Sequence, residues 1–176
     1  EYYKKPEETA KVFTEDGFFR TGDAGELLAD NTIVLTERIK DLFKTSNGKY
    51  IAPQAIETLI ANDKFIDMIS IIGDDVKFVS ALVVPDYDAV EKWAKEHDIV
   101  YSTREELLKD KIVISMISTR IEMQQAPLAP YEKVKRFTLL PEPFTMESGE
   151  LTNTLKIKRK VVAERYKDII NKMYED

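Results

Sequence analysis

Two nearly unbroken apolar runs lie in the middle of the chain, at residues 66–72 and 78–84. A Gly-Asp-Asp turn joins them, so they predict an antiparallel pair of strands that is well buried on one face. A third run, at residues 134–140, is stopped by Pro141 and predicts another strand. We therefore expect a short, mainly antiparallel sheet of about three strands.

Helix-like stripes of apolar residues flank these strands. Pro53 begins a helix that runs to about residue 61, and Asp86 caps another whose apolar positions fall on one side. Further stripes predict a helix around residues 113–121 and a last helix from about residue 160 to 174. Strands and helices mixed in this way, without regular βαβ units, predict an α+β fold.

The first part of the chain has a pattern of its own. Pro6 opens a short helix that has acidic residues in its first turn. A strand near residues 26–28 is followed by an Asp-Asn hairpin signal and by a β-branched return strand at residues 32–36. The chain then alternates charge and bulk and becomes polar, so we place a domain boundary at residues 38–40.

Composition narrows the classes of function. The 176 residues are 43% hydrophobic, which is enough for one compact domain and an appendage. The net charge of -6 argues against a nucleic-acid partner, since phosphate binding needs a basic surface. The absence of cysteine excludes thiol catalysis, disulfides and thiolate metal sites. No apolar run approaches the ~20 residues that span a bilayer, and the chain opens in mid-pattern without Met, so we interpret it as a segment of a larger protein.

Three polar stretches carry candidate chemistry, and the first ends at Asp23. This carboxylate follows a glycine that predicts a tight turn. One carboxylate offers two oxygens, so it can accept hydrogen bonds from both hydroxyls of a ribose. For these residues taken alone, an aspartate in an ordinary turn is the favoured interpretation.

The second stretch is a polar loop at residues 45–49, which follows the charged segment 37–44. Its centre is Ser46, Asn47 and Gly48, and an Asn-Gly pair can take positive φ. Such a loop can approach a ligand through its backbone. A solvated linker that leads into the next helix is the alternative interpretation.

The third stretch, residues 151–160, ends in a basic cluster in which four of the last five residues are Lys or Arg. A polar turn at residues 152–154 would carry Lys156 on a loop before the last helix. An ammonium on a flexible stem is a mobile point charge that can reach an anion. A solvated basic face or a targeting-like cluster explains these residues as well.

In this order and at these separations, the three stretches resemble the closing motifs of the adenylate-forming superfamily. That superfamily contains acyl-CoA ligases, luciferases and peptide-synthetase adenylation domains. Residues 16–23, Asp-Gly-Phe-Phe-Arg-Thr-Gly-Asp, are similar to its Asp-Gly-Trp-Phe-Arg-Thr-Gly-Asp motif. Residues 2–10 look like the end of its Gly-Tyr-Tyr segment. The resemblance covers nearly the whole chain and is weakest from about residue 87 to 125.

Within that superfamily, this chain most resembles the long-chain fatty-acid ligases. Their linker reads Asp-Arg-Leu-Lys-Asp-Leu-Ile-Lys, against Glu-Arg-Ile-Lys-Asp-Leu-Phe-Lys at residues 37–44. Their ending, Leu-Thr-Pro-Thr-Leu-Lys with Lys-Arg two positions on, matches residues 151–159 with Asn153 in place of proline. Two positions depart from the wider superfamily, since Asn47 and Leu155 stand where most relatives have glycine; the long-chain branch also has leucine at the second.

The resemblance implies chemistry in two half-reactions. Such enzymes activate a carboxylic acid with ATP as an acyl-adenylate and then transfer the acyl group to coenzyme A. By the match, Asp23 and Arg38 bind the nucleotide. Lys156 is then the catalytic residue, and its charge offsets the charge that develops during adenylation.

The resemblance also implies a division of the chain. Residues 1–37 would be the tail end of the N-terminal adenylation domain, 38–40 the hinge, and 41–176 the C-terminal mobile domain. Rotation about Lys40 would withdraw Lys156 after adenylation and turn Ser46, Asn47 and Gly48 toward coenzyme A.

The resemblance implies ATP, coenzyme A and Mg²⁺ for the full enzyme, a fatty acid as substrate, and the N-terminal adenylation domain of the same parent chain as partner. For this segment alone we expect no metal site, no tightly bound cofactor, no nucleic-acid partner and no ligase activity. We expect a cytoplasmic location and leave peripheral membrane attachment of the parent open. An aryl- or medium-chain acyl-CoA ligase and a non-catalytic interaction module are the alternatives.

Overall fold

A computed structural model of the chain describes residues 1–175, apart from the side chains of Thr36, Glu37, Arg38 and Lys40. The chain divides into two compact units, Glu1–Leu42 and Phe43–Asp176. The hinge at residues 38–40, and the domain limits that follow from it, stay predictions.

The first unit contains a helix and a β-hairpin. Helix α1 spans Pro6–Lys11, and strands β1 (Asp23–Leu27) and β2 (Ile33–Arg38) pair antiparallel. A single turn of 3₁₀ helix, Ile39–Asp41, follows β2. The helix and the hairpin lie where the sequence predicts them, and β1 begins at Asp23, earlier than expected.

The second unit opens with a small strand pair, β3 (Phe43–Lys44) and β4 (Tyr50–Ile51), which leads into helix α2 (Pro53–Ile60). The sequence predicts α2 because Pro53 lies in its first turn. It does not predict the strand pair, because two residues are too few to show a period.

A three-stranded sheet forms the centre of this unit. Its strands are β5 (Ile66–Ile72), β6 (Ser80–Pro85) and β7 (Arg136–Leu139), in the order β5-β6-β7. The first two pair antiparallel as predicted, whereas β7 runs parallel to β6. Parallel pairing needs a crossover connection, and the segment between β6 and β7 supplies one.

That crossover contains helices α3 (Tyr87–Glu96), α4 (Arg104–Leu107) and α5 (Lys111–Gln124). The Asp86 carboxylate accepts a hydrogen bond from the Ala89 amide at 2.9 Å, which confirms the predicted cap of α3. Helix α4 has a single turn and was not expected.

The prediction of one last helix is wrong, because the segment forms α6 (Arg159–Arg165) and α7 (Lys167–Tyr174) with a break at Tyr166. At the break, the Tyr166 hydroxyl donates to the Glu150 carboxylate and its ring packs edge-on against Phe144. The break lets both helices bury residues in one apolar cluster.

Apolar clusters cover both faces of the sheet. Ala81 and Val83 of β6 pack with α2, α3 and α5 in one cluster, and Leu82 and Val84 pack with α6 and α7 in the other. Successive side chains of a strand point to opposite faces, so β6 is buried on both. The expectation of one buried face is therefore too narrow, and double burial explains the unbroken apolar run. None of the helices within residues 1–175 has the length and apolar character needed to cross a bilayer.

Candidate functional site

Lys156 lies on a small closed loop, residues 151–157, which we call the Lys156 loop. Leu151 and Ile157 form an antiparallel bridge at its base. Inside it, the Thr152 amide donates to the Lys156 carbonyl at 2.8 Å, and the Lys156 amide donates to Thr152 Oγ1 at 3.0 Å. The Lys156 side chain is exposed, and among the described residues no carboxylate forms an ion pair with it. Its ammonium is therefore available to an anion.

Leu155, just before this lysine, has φ +59° and a relative exposure of 65%. The left-handed region costs an L-residue roughly 1–2 kcal/mol, whereas glycine reaches it freely. Leu155 therefore adopts a conformation that a glycine at this position would adopt without this cost. Leucine keeps the loop closed, because the Leu155 amide still donates to the Thr152 carbonyl at 2.9 Å.

Glu150 anchors the first end of the Lys156 loop, and its side chain is only 1% exposed. Its carboxylate accepts hydrogen bonds from Ser148 Oγ at 2.5 Å, Tyr166 Oη at 3.0 Å and the Thr145 amide at 3.2 Å. Burial raises the pKa of Glu150, but these bonds and the nearby Arg165 outweigh burial and leave the pKa below its usual value. Burial and the bond to Glu150 raise the pKa of Tyr166 to about 12, so its hydroxyl keeps the proton that it donates.

Arg159 anchors the other end of the loop. It begins α6, and its guanidinium forms a two-pronged pair with Glu57 of α2, with Nη2 to Oε2 at 2.6 Å and Nη1 to Oε1. Glu57 Oε1 also accepts a hydrogen bond from the Ile71 amide of β5 at 2.8 Å. The loop is therefore attached to the sheet on this side.

The loop at residues 45–49, which we call the hairpin loop, joins β3 to β4. Its Ser46 amide donates to the Val76 carbonyl at 3.0 Å, and Asn47 Nδ2 donates to the Lys77 carbonyl at 3.1 Å. Gly48 has φ +80°, while Asn47 does not have a positive φ. Asn47 thus does not need the left-handed conformation in which a glycine would be favoured, and its amide fastens the loop to the β5–β6 connection.

Replacing Asn47 with alanine tests the role of this attachment. We expect the rate of the thioester-forming half-reaction of the full-length parent to fall about 2–10-fold, because one hydrogen bond contributes roughly that factor. Adenylation should not change. Rapid mixing of preformed acyl-adenylate with coenzyme A measures the rate of thioester formation, and pyrophosphate exchange measures the rate of adenylation. Lys77→Ala is the matched control because it keeps the accepting carbonyl, and an equal loss in both variants would contradict the prediction.

The nucleotide-binding candidates of the first unit meet at the open end of its hairpin. Asp23 is the first residue of β1 and lies opposite Arg38, the last residue of β2. Gly22 has φ +81°, and its carbonyl accepts a hydrogen bond from the Ile39 amide at 2.8 Å. The predicted glycine turn before Asp23 is thus present. The side chains of Arg38 and Lys40 lie outside the described residues, so their predicted roles stay predictions.

The described part of the chain contains no group of three or more His, Cys, Asp or Glu positioned to hold a metal ion.

Sequence reasoning gave no individual role to Glu57, Glu150 or Arg159, although Arg159 lies in the motif at residues 151–159. The available signal for Glu57 is an acid between the buried Ile56 and Ile60 of α2, and for Glu150 an acid in front of the apolar Leu151. Neither signal names a partner, so the anchoring of the Lys156 loop is visible only in the fold.

A family model described as the AMP-binding enzyme C-terminal domain matches residues 40–176. The chain belongs to this family. As a member of the AMP-binding enzyme C-terminal domain family, it resembles long-chain-fatty-acid–CoA ligase 5 of Mus musculus, with 35% identity over 99% of this chain and 26% of that protein. It is 32% identical to a long-chain-fatty-acid–CoA ligase of Mycobacterium tuberculosis, over 98% of this chain and 29% of that protein.

Among solved structures, the chain is similar to the adenylation domain of a carboxylate reductase from Mycobacterium chelonae. The TM-score is 0.81 at 29% identity, over 99% of this chain and 26% of that chain. The family model begins at residue 40, near the end of the first unit. The relatives and this solved structure extend the match over the rest of that unit. The chain spans about a quarter of the length of the curated relatives it matches.

Proposed function

We propose that this chain is the C-terminal part of an ATP-dependent, AMP-forming long-chain fatty-acid–CoA ligase. The observation that carries the proposal is the exposed Lys156 ammonium on a loop anchored at both ends, in a member of the AMP-binding enzyme C-terminal domain family. The names of the relatives support the substrate class, because they are long-chain-fatty-acid–CoA ligases that match this chain almost from end to end.

The residues take the roles that the resemblance assigns. The Lys156 ammonium offsets negative charge at the reacting carboxylate and phosphate during adenylation. Asp23 accepts hydrogen bonds from the ribose hydroxyls, and Arg38 supports the nucleotide from the start of the linker. A hinge at Lys40 then exchanges the Lys156 loop for the hairpin loop, which faces coenzyme A.

The preceding part of the parent chain is the proposed partner of the first unit. Leu27, Ile33 and Leu35 of the hairpin β1–β2 are each at least 65% exposed. Contiguous exposed apolar surface on a β-hairpin marks a surface that another part of a protein covers. An N-terminal adenylation domain that continues the hairpin would bury it.

Acyl-CoA formation by the full-length parent tests the proposal. With ATP and coenzyme A present, we expect hexadecanoate to be a better substrate than octanoate or benzoate. We expect the 176-residue chain alone to form no acyl-CoA, since it spans only about a quarter of its relatives. Preference for benzoate or octanoate would support the aryl- or medium-chain alternative, and acyl-CoA formation by the isolated chain would contradict the division of labour proposed here.

A carboxylate reductase adenylation domain is the second candidate, favoured by the TM-score of 0.81 to such a domain. Both candidates activate a carboxylic acid, so pyrophosphate exchange alone does not separate them. The same assay distinguishes them by its product. Adenylation of hexadecanoate without acyl transfer to coenzyme A would favour the second candidate.

A further inference from the structure

We propose that Glu57 and Arg159 are positioning residues for adenylation, because they fix the direction in which the Lys156 loop presents its ammonium. The inference rests on the proposed function and gives these two residues a role that neither the motifs nor the relatives' names assign. It also predicts which half-reaction depends on the pair.

The pair fixes orientation as well as distance. A guanidinium that meets a carboxylate with two parallel hydrogen bonds cannot rotate without breaking one of them. The side chains of Arg159 and Glu57 are 29% and 12% exposed, so solvent screens the pair only in part. Through the Ile71 amide, the same carboxylate is bonded to the central sheet. Arg159 is thus held in one pose against a rigid strand.

Arg159 controls the loop because it is only three residues from Lys156. Residues 152–156 form hydrogen bonds with one another, through Thr152 to Thr154, Leu155 and Lys156. These bonds keep the loop closed but do not fix its direction relative to the rest of the unit. Beyond the base bridge, the chain enters α6 directly at Arg159. The direction of the Lys156 ammonium therefore depends on how the start of α6 is held.

Glu150 holds the opposite end but acts on the backbone of the loop base. Its carbonyl accepts a hydrogen bond from the Lys158 amide at 2.7 Å, and its carboxylate is enclosed by donors from the preceding turn and from Tyr166. The bond between Glu150 and Lys158 and the base bridge join the two ends of the loop to each other, so loss of the Glu57–Arg159 pair would let the closed loop pivot as a whole about the Glu150 end. The loop would stay closed while Lys156 lost its direction.

The two half-reactions respond differently to such a pivot. Adenylation needs Lys156 at the reacting groups, and small misplacement of a catalytic group lowers a rate by up to about 10²-fold. Thioester formation uses the pose in which Lys156 is withdrawn. Breaking the pair should therefore slow adenylation selectively, which a general loss of folding would not do.

The test uses the full-length parent with Glu57→Gln, Arg159→Met and Arg159→Lys. We expect pyrophosphate exchange to fall about 10–100-fold in the first two variants. The exchange rate of Arg159→Lys should fall less, because lysine keeps the positive charge and loses only the two-pronged geometry of the guanidinium. Thioester formation from preformed acyl-adenylate should stay at the wild-type rate in all three. Each single variant leaves a half-buried charge without its partner. The double variant Glu57→Gln/Arg159→Met removes both charges, so it tests the same point if a single variant folds poorly.

Asp63 and Arg120 provide the matched control. Their ion pair has an N–O distance of 2.7 Å, the Asp63 side chain is fully buried, and neither residue adjoins the Lys156 loop. Asp63→Asn should lower the unfolding temperature and leave the ratio of the two half-reactions unchanged. If Arg159→Met instead lowers both half-reactions equally, as a merely structural change would, the proposal is wrong.

Lys156→Ala in the same experiment separates this inference from the proposed function. If Lys156→Ala abolishes adenylation while Arg159→Met and Glu57→Gln keep the wild-type rate, the positioning role fails and the proposed function stands. If Lys156→Ala leaves adenylation unchanged, the proposed function fails, and the positioning role fails with it.

Discussion

Replacement of Lys156 by alanine is expected to slow acyl-adenylate formation by the full-length parent about 10²–10³-fold, or ~2.7–4 kcal/mol of barrier. The ammonium is exposed, lacks a described carboxylate partner, and is carried on a loop anchored at both ends. Removing a positioned charge removes stabilisation that is made only as charge develops in the transition state. Pyrophosphate exchange with hexadecanoate measures the loss.

Lys160→Ala is the matched control, because Lys160 belongs to the same basic cluster and is also exposed, on α6. It should keep the wild-type rate, and both variants should form thioester normally from preformed acyl-adenylate. A non-catalytic interaction module predicts that Lys156→Ala is silent. An equal effect of the two substitutions would mean that the cluster acts only through its summed positive charge and that Lys156 has no individual role.

The substitution Gly73→Ala is expected to destabilise the second unit by about 1–3 kcal/mol. A Cβ built on Gly73 would lie 2.2 Å from Cε2 and 2.6 Å from Cζ of Phe43. Gly73 has no positive φ, so the cost is steric and does not come from backbone conformation. Both residues are at least partly buried, so the ring cannot simply swing into solvent. The midpoint of urea unfolding measures the effect.

A double-mutant cycle with Phe43→Ala identifies the cause. If the clash is responsible, Gly73→Ala should cost much less when the ring is absent, and the two changes should couple strongly. Gly149→Ala is a useful contrast, because its Cβ would meet nothing within 4 Å and its φ of +84° makes the cost conformational. Additive effects of Gly73→Ala and Phe43→Ala would rule out the clash.

The strands of the central sheet could be predicted because a buried strand is recognisable from a short stretch of sequence, as an apolar run between turns. The orientation of β7 could not, since periodicity carries no information about chain direction. The break at Tyr166 could not either, because it accompanies a hydrogen bond to Glu150, 16 residues away. The pattern of α6 and α7 alone continues as one amphipathic stripe.

The candidate site divides in the same way. Asp23 and Lys156 lie in local motifs, so their turns and loops follow from nearby residues. The Glu57–Arg159 pair joins positions 102 residues apart, and either residue alone resembles an ordinary charged surface residue. Asn47 shows an intermediate case, because its neighbour Gly48 signals the turn but its bond to the Lys77 carbonyl spans 30 residues.

The Lys156 loop and the hairpin loop are tied to the same pair of strands. One is held through Glu57 to the Ile71 amide of β5, and the other is bonded to Val76 and Lys77 between β5 and β6. If this unit turns as one body, as proposed, the two loops keep a constant separation. Presenting one of them then withdraws the other in the same movement, so the two half-reactions exclude each other by construction and need no separate signal to alternate.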